Sequence, residues 1–134
     1  MTLQVSLITP DRVLWDGPAE EALLATTTGS MGILSNHAPL LTALEIGTLR
    51  LRNTDKEWCS FAVMGGFATV KDNALTLIVN QAELGTQLDQ EKVKEDLSSA
   101  ETALEQASKP ADLIEAQIAY RKAKARYEAT LVKS

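Results

Sequence analysis

The stretch Leu75-Thr76-Leu77-Ile78-Val79-Asn80-Gln81-Ala82-Glu83-Leu84-Gly85-Thr86-Gln87-Leu88-Asp89-Gln90-Glu91-Lys92-Val93 decides the fold, because the chain changes its chemistry at Gly85. Up to that point short apolar and β-branched runs are broken by turn residues; beyond it Ala, Glu, Lys, Gln and Leu take over. All 7 glycines lie in the first 85 residues. Glycine suits turns that need positive φ, whereas in a helix interior it is worse than Ala by about 1 kcal/mol. Residues 1–85 therefore read as a β unit and residues 86–134 as a helical one. The expected fold is α+β: an N-terminal all-β sandwich or flattened barrel, then a C-terminal antiparallel two-helix hairpin.

Working back from Gly85, Phe67–Val70, a turn over Lys71–Ala74 and Leu75–Val79 form a hairpin by the loop-length rule. Trp58–Val63 is a strand entered from the turn Asn53–Lys56. Ile46–Leu51 is another, with Leu49 and Leu51 on one face and Arg50 and Arg52 on the other. Leu23–Thr28 stops at Gly29, and Leu3, Val5 and Leu7 alternate ahead of the turn Thr9-Pro10-Asp11. Strands at this spacing suit a sandwich or barrel.

Working forward, Asp89 is an N-cap followed by acidic first-turn residues, which predicts a helix over 89–107. Val93, Leu97, Ala100, Leu104 and Ala107 share one face of it. Pro110 ends that helix, and Asp112 with Glu115 approximates a capping box for a second over 112–131. Its stripe is Leu113, Ala116, Tyr120, Ala123, Tyr127 and Leu131. Ala100, Ala103 and Ala107 facing Ala116, Ala119 and Ala123 predict a close approach of the helices. An Ala-rich hairpin buries little apolar area, so its position is easily shifted, with Gly85-Thr86-Gln87 as hinge.

The 134 residues suit one domain with an appendage, and 45% hydrophobic with 23% charged residues is ordinary for a globular chain. No apolar run reaches the roughly 20 residues of a transmembrane helix, and no signal or transit peptide is visible. The net charge of −5 argues against nucleic-acid binding. It conceals an asymmetry. Residues 1–88 hold 9 acidic and 5 basic side chains, residues 89–110 hold 6 and 3, and residues 111–134 hold 3 and 5. Only the last segment is basic.

One Cys and one His leave little room for metal or nucleophile chemistry. His37, in Ser35-Asn36-His37-Ala38-Pro39, reads as a loop histidine that bonds local backbone or touches a partner. Gly29-Ser30-Met31-Gly32 and Gly65-Gly66 lack the Lys–Ser/Thr sequel of a phosphate loop and read as turn glycines. Cys59 reads as a small buried hydrophobe, and Trp15 and Trp58 as core or edge packing or as interface residues. Arg121, Lys122, Lys124 and Arg126 are a solvated helix face or a docking site for an acidic partner.

Ordered motifs along the whole chain carry a family resemblance: Gly29–Leu44, Met64-Gly65-Gly66-Phe67-Ala68, Val79-Asn80-Gln81-Ala82-Glu83 and Arg121-Lys122-Ala123-Lys124-Ala125-Arg126. The sequence resembles the epsilon subunits of F-type (rotary) ATP synthases, most closely the chloroplast and cyanobacterial kind. That resemblance implies a non-catalytic central-stalk rotor subunit of a proton-translocating enzyme. Its sandwich would bind the gamma subunit and the membrane c-ring. Its hairpin would fold on the sandwich or extend toward the catalytic beta subunit and inhibit ATP hydrolysis.

By the same resemblance Met31, Ser35, Asn36 and His37 face the c-ring and gamma, and Arg121, Lys122 and Arg126 meet an acidic segment of beta. The implied location is peripheral, on the stromal or cytoplasmic face of a thylakoid or bacterial inner membrane, reached only through the complex. Some bacterial members bind ATP through I/L-D-x-x-R-A. Here Leu88, Asp89 and Lys92 form a degenerate version, with Lys for Arg and Val93 for Ala; lysine does not reproduce a guanidinium fork. No cofactor is expected, and ATP binding by the isolated subunit is expected to be weak or absent. The alternative from another class is a stand-alone β-sandwich binding module with a helical docking arm.

Overall fold

Leu3, Val5 and Leu7 are fully buried while their neighbours face outward, the period of a half-buried strand. The computed structural model describes residues 1–131. Its elements are β1 (Leu3–Ile8), β2 (Val13–Ala19), β3 (Glu21–Thr26), β4 (Gly29–Leu34), β5 (Leu40–Arg52), β6 (Trp58–Lys71), β7 (Ala74–Val79) and β8 (Ala82–Leu84). A 3-10 turn over Gly85–Gln87 leads to α1 (Gln90–Gln106) and α2 (Pro110–Leu131). The expected sandwich followed by two helices is present.

The strand order is β2-β1-β7-β6-β5-β3-β4, with β8 beside β6. β1 runs parallel to β7; the other pairs are antiparallel. The sheet folds over on itself because β5 and β6 serve both halves. Trp58–Cys59, Phe61–Val63 and Phe67–Val70 lie on one 14-residue strand rather than on two. It bends at Gly65 (φ 83°) and Gly66 (φ 153°), which are thus interior to a strand and not turn residues. Beyond the bend β6 takes β7 as its second neighbour, before it β8. Leu24, Ile33, Leu51, Leu75 and Leu77 fill the space between the halves with the β1 side chains.

β2 and β4 carry no alternation and were not expected. Both are edge strands. The missing N–H of Pro18 is tolerated at an edge, and the Gly29-Ser30-Met31-Gly32 run pairs with β3 on one side only. Trp15 stands edge-on to Phe61, with centroids 6.5 Å apart, and Trp58 lies under the Arg52 guanidinium.

The α1 stripe is buried as expected: Val93 fully, and Leu97, Ala100, Leu104 and Ala107 in part. In α2 the expectation needs correction. The helix begins at Pro110, whose fixed φ suits a first helical position, so Asp112 sits in the first turn and is not the cap. Its buried residues are Ala116, Ala123, Ala125 and Ala129, while Leu113 and Leu131 are exposed. Ala103 and Ala119 are exposed as well, so the alanine seam between the helices is partial.

The reason is tertiary. α2 has two partners, and Ala125 and Ala129 turn away from α1 onto Ala62 and Met64 of β6, beside Ile46 of β5. The hairpin is folded against the sandwich through this small patch. Gly85 is buried beneath it, and a Cβ there would lie 2.2 Å from the Ala129 carbonyl oxygen.

Cys59 lies opposite Leu51 and packs against the core, and burial raises its thiol pKa. A raised pKa keeps the neutral thiol to higher pH. Alkylation of the native chain is therefore expected to be slower than that of an unfolded control at pH 8, its rate climbing at a higher pH than in the control.

Candidate functional site

The loop after β4 is held by backbone chemistry. Asn36 adopts φ 64°, and its N–H donates to Asn73 Oδ1 at 2.7 Å. Asn73 Nδ2 in turn donates to the Thr2 carbonyl at 2.9 Å, which also accepts from Ser35 Oγ at 3.2 Å. Asn73 thereby ties this loop to β1 and to the β6–β7 turn. It was not singled out from the sequence. The usable signal was Asp72-Asn73, a two-residue turn with both φ positive, where Asn is favoured and leaves its amide free to reach sideways.

The His37 N–H donates to the Leu34 carbonyl at 3.2 Å, and Nδ1 donates to the Ala38 carbonyl at 2.7 Å. Nδ1 is thereby committed to a backbone oxygen, and among the described residues no carboxylate or nucleophile is hydrogen-bonded to the ring. Ser35, Asn36 and His37 come together at one end of the sandwich. Met31 does not join them: it sits opposite Leu24 in β4, packed against the core.

Exposed apolar side chains surround the loop and continue across the free face of the sheet. Leu34 and Leu41 are 54% and 71% exposed. The register places Ala43, Phe67, Ile78, Ile8 and Val13 in one row over β5, β6, β7, β1 and β2. Phe67, Ile78 and Val13 in that row are each more than half exposed. A row of exposed apolar side chains of this kind is a candidate interaction surface.

The basic residues of α2 do not form one patch. Arg121 and Lys124 line a cleft of about 740 Å³ between α2 and the outer face of β3 and β5. Arg126 points elsewhere, its Nε donating to Glu83 Oε1 of β8 at 2.7 Å. Lys124 lies 3.9 Å from Glu128. Among the described residues Arg121 and Lys122 make no ion pair.

At the start of α1, Asp89 Oδ1 accepts from the backbone N–H groups of Glu91 and Lys92 at 3.0 and 3.4 Å. Its carboxylate is engaged as a helix cap, as its position predicted, and Lys92 extends into solvent. Among the described residues no group of three or more His, Cys, Asp or Glu is placed to hold a metal ion, and no helix is long and apolar enough to cross a membrane.

A folded β-sandwich with an exposed apolar row on its sheet, bearing a short helical hairpin, defines a two-part chain. The family comparisons say which kind. The ATP synthase delta/epsilon chain β-sandwich domain matches residues 2–85, and the long α-helix domain of the same chains matches residues 87–130. The chain belongs to the ATP synthase delta/epsilon chain family.

Its relatives include the ATP synthase epsilon chain of Thermosynechococcus vestitus, 52% identical over 133 residues covering 96% of this chain and 95% of that one. The epsilon chain of Microcystis aeruginosa is 50% identical over 132 residues, with the same coverage. The chloroplastic epsilon chain of Staurastrum punctulatum is 43% identical over 134 residues, covering 100% of this chain and 96% of its own. Two solved assemblies share the fold. In the Euglena gracilis mitochondrial ATP synthase a chain superposes with a TM-score of 0.84 at 24% identity, over 97% of this chain and 81% of that one. In the Tetrahymena thermophila enzyme the values are 0.64 and 19%, over 97% of both chains.

Proposed function

We propose that this chain is a central-stalk rotor subunit of a proton-translocating F-type ATP synthase. It couples the c-ring to gamma through its sandwich and restrains ATP hydrolysis through its hairpin. The observation that carries the regulatory part is α2: a basic helix in an otherwise acidic chain, attached to the sandwich, among the described residues, by alanine methyls, one ion pair and a long hydrogen bond from Thr48 Oγ1 to the Ala125 carbonyl. Burying such methyls contributes on the order of 1 kcal/mol each, a contact that a partner can outcompete.

The loop Ser35-Asn36-His37 is the c-ring and gamma contact. The apolar row centred on Phe67 and Ile78 extends that surface over the free face of the sheet. The Euglena and Tetrahymena structures are described as F1/c-ring and central stalk/c-ring assemblies, which favours these partners. Arg121, Lys122 and Arg126 dock on an acidic segment of the catalytic beta subunit. The chain sits peripherally on the stromal or cytoplasmic face of a thylakoid or bacterial inner membrane, held there by the complex.

The degenerate Leu88-Asp89-Lys92 motif gives weak or absent ATP binding. Asp89 is occupied in capping α1, and an ammonium in place of a guanidinium loses the bidentate contact.

The test adds the full chain to an epsilon-depleted catalytic complex and follows ATP hydrolysis. Replacing Arg121, Lys122 and Arg126 together with Ala is expected to weaken inhibition by about tenfold at low ionic strength, with added salt eroding the difference. Inhibition that is unchanged and indifferent to salt would overturn docking through these cations.

A further inference from the structure

Arg126 has two claims on it. As a docking cation it must be free to meet a carboxylate on another subunit. In the folded chain its Nε already donates to Glu83 Oε1 at 2.7 Å, with the two side chains only 30% and 26% exposed. The pair is charge-assisted and partly shielded from solvent, so it is stronger than an ordinary surface ion pair.

Its position gives it leverage. Glu83 lies on β8, opposite Ala62 of β6, and Ala62 is part of the patch that receives Ala125 and Ala129. Arg126 stands on the helix between those two alanines. Glu83 is also two residues before Gly85, whose backbone lies against the Ala129 carbonyl. The carboxylate is thus fixed on the sandwich at the place where the hairpin leaves it, and the guanidinium is fixed on the contacting turn of the arm.

We infer that Glu83 is an intramolecular competitor for Arg126: the folded arm holds this cation with the sandwich's own carboxylate, and docking requires an exchange of Glu83 for a carboxylate of the partner. The inference rests on the docking role proposed above. It assigns unlike duties to the basic residues. Arg121 and Lys122 are available in both positions of the arm and supply steering, whereas Arg126 is a switch contact with one partner at a time.

The exchange predicts opposite effects for the two ends of one ion pair. Glu83→Gln keeps the size and an acceptor oxygen but removes the charge. In the isolated full chain it is expected to raise the population of the released arm by about fivefold. The readout is the methyl resonance of Met64, which packs with Ala125 and Ala129 only while the arm is folded. Arg126→Gln should release the arm to a similar extent.

In the catalytic complex the signs separate. Glu83→Gln should inhibit ATP hydrolysis more strongly than the natural chain, and Arg126→Gln less strongly. The charge swap Glu83→Arg with Arg126→Glu should refold the arm without restoring inhibition. If Met64 reports no release in Glu83→Gln, or if release occurs with no gain in inhibition, the competition is overturned. A natural chain that does not inhibit at all would instead sink the docking role; Met64 would then still decide whether Glu83 holds the arm.

Discussion

A chain ending after Leu88 is expected to lose its inhibition of ATP hydrolysis by the epsilon-depleted complex, by at least about tenfold, while still binding the rotor. The sandwich core is built entirely from residues between Leu3 and Ala82, so nothing in it depends on the hairpin. Truncation uncovers Ala62, Met64 and Ile46, a small patch that the sandwich can leave exposed without unfolding. What is removed is α1, α2 and the basic segment at the end of the sequence. Co-purification with gamma together with a hydrolysis assay separates the two roles. Equal inhibition by the truncated and full chains would move the brake into the sandwich.

The second large effect is at Gly66. A Cβ there would lie 2.2 Å from the Ile78 carbonyl oxygen and 2.7 Å from the Val79 Cα, at a φ of 153°. Those atoms belong to β7, which is held between β1 and β6 and has nowhere to go. Gly66→Ala is expected to destabilise the chain by about 3 kcal/mol, read as a fall in Tm of about 10 °C.

Gly85→Ala makes a useful contrast. Its Cβ would stand at the same 2.2 Å from a carbonyl, but that carbonyl is Ala129 on the hairpin, and the sandwich's own nearest atom, the Ser60 carbonyl oxygen, is at a milder 3.2 Å. The arm can lift away, so the sandwich should keep its Tm while the Met64 methyl reports release. Equal losses of stability at both positions would mean that hairpin and sandwich unfold as one body.

Strands with an internal period were legible from residues alone. Leu3-Val5-Leu7 and Leu75-Leu77-Val79 alternate because one face meets the core, and all six side chains are buried. Edge strands were not legible. β2 and β4 each have one neighbour and a weak burial demand, which lets Gly17-Pro18 and the Gly29–Gly32 run stand where a central strand would reject them. The helix stripe of α1 was readable because α1 packs chiefly on one partner, α2. That of α2 was misread because two partners share the helix, and a single periodic stripe describes only one interface.

The same division applies to the site. Ser35, Asn36 and His37 were visible as a polar loop between apolar runs, but Asn73, which holds that loop, is 37 residues from Asn36 and reaches it only through the fold. The basic character of the last segment was arithmetic.

Sequence by itself determined the change of composition at Gly85, the strand and helix classes before and after it, the Asp89 cap and the sign reversal of charge. These depend on local backbone preference and on counting, which need no knowledge of neighbours. Tertiary structure alone decided that β6 runs unbroken through Gly65-Gly66, that α2 gives Ala125 and Ala129 to the sandwich, and that Arg126 meets Glu83 across 43 residues. Those outcomes depend on which surfaces are brought together when the chain closes. A basic helix in the sequence is thereby one whose Arg126 is held by Glu83 of the sandwich.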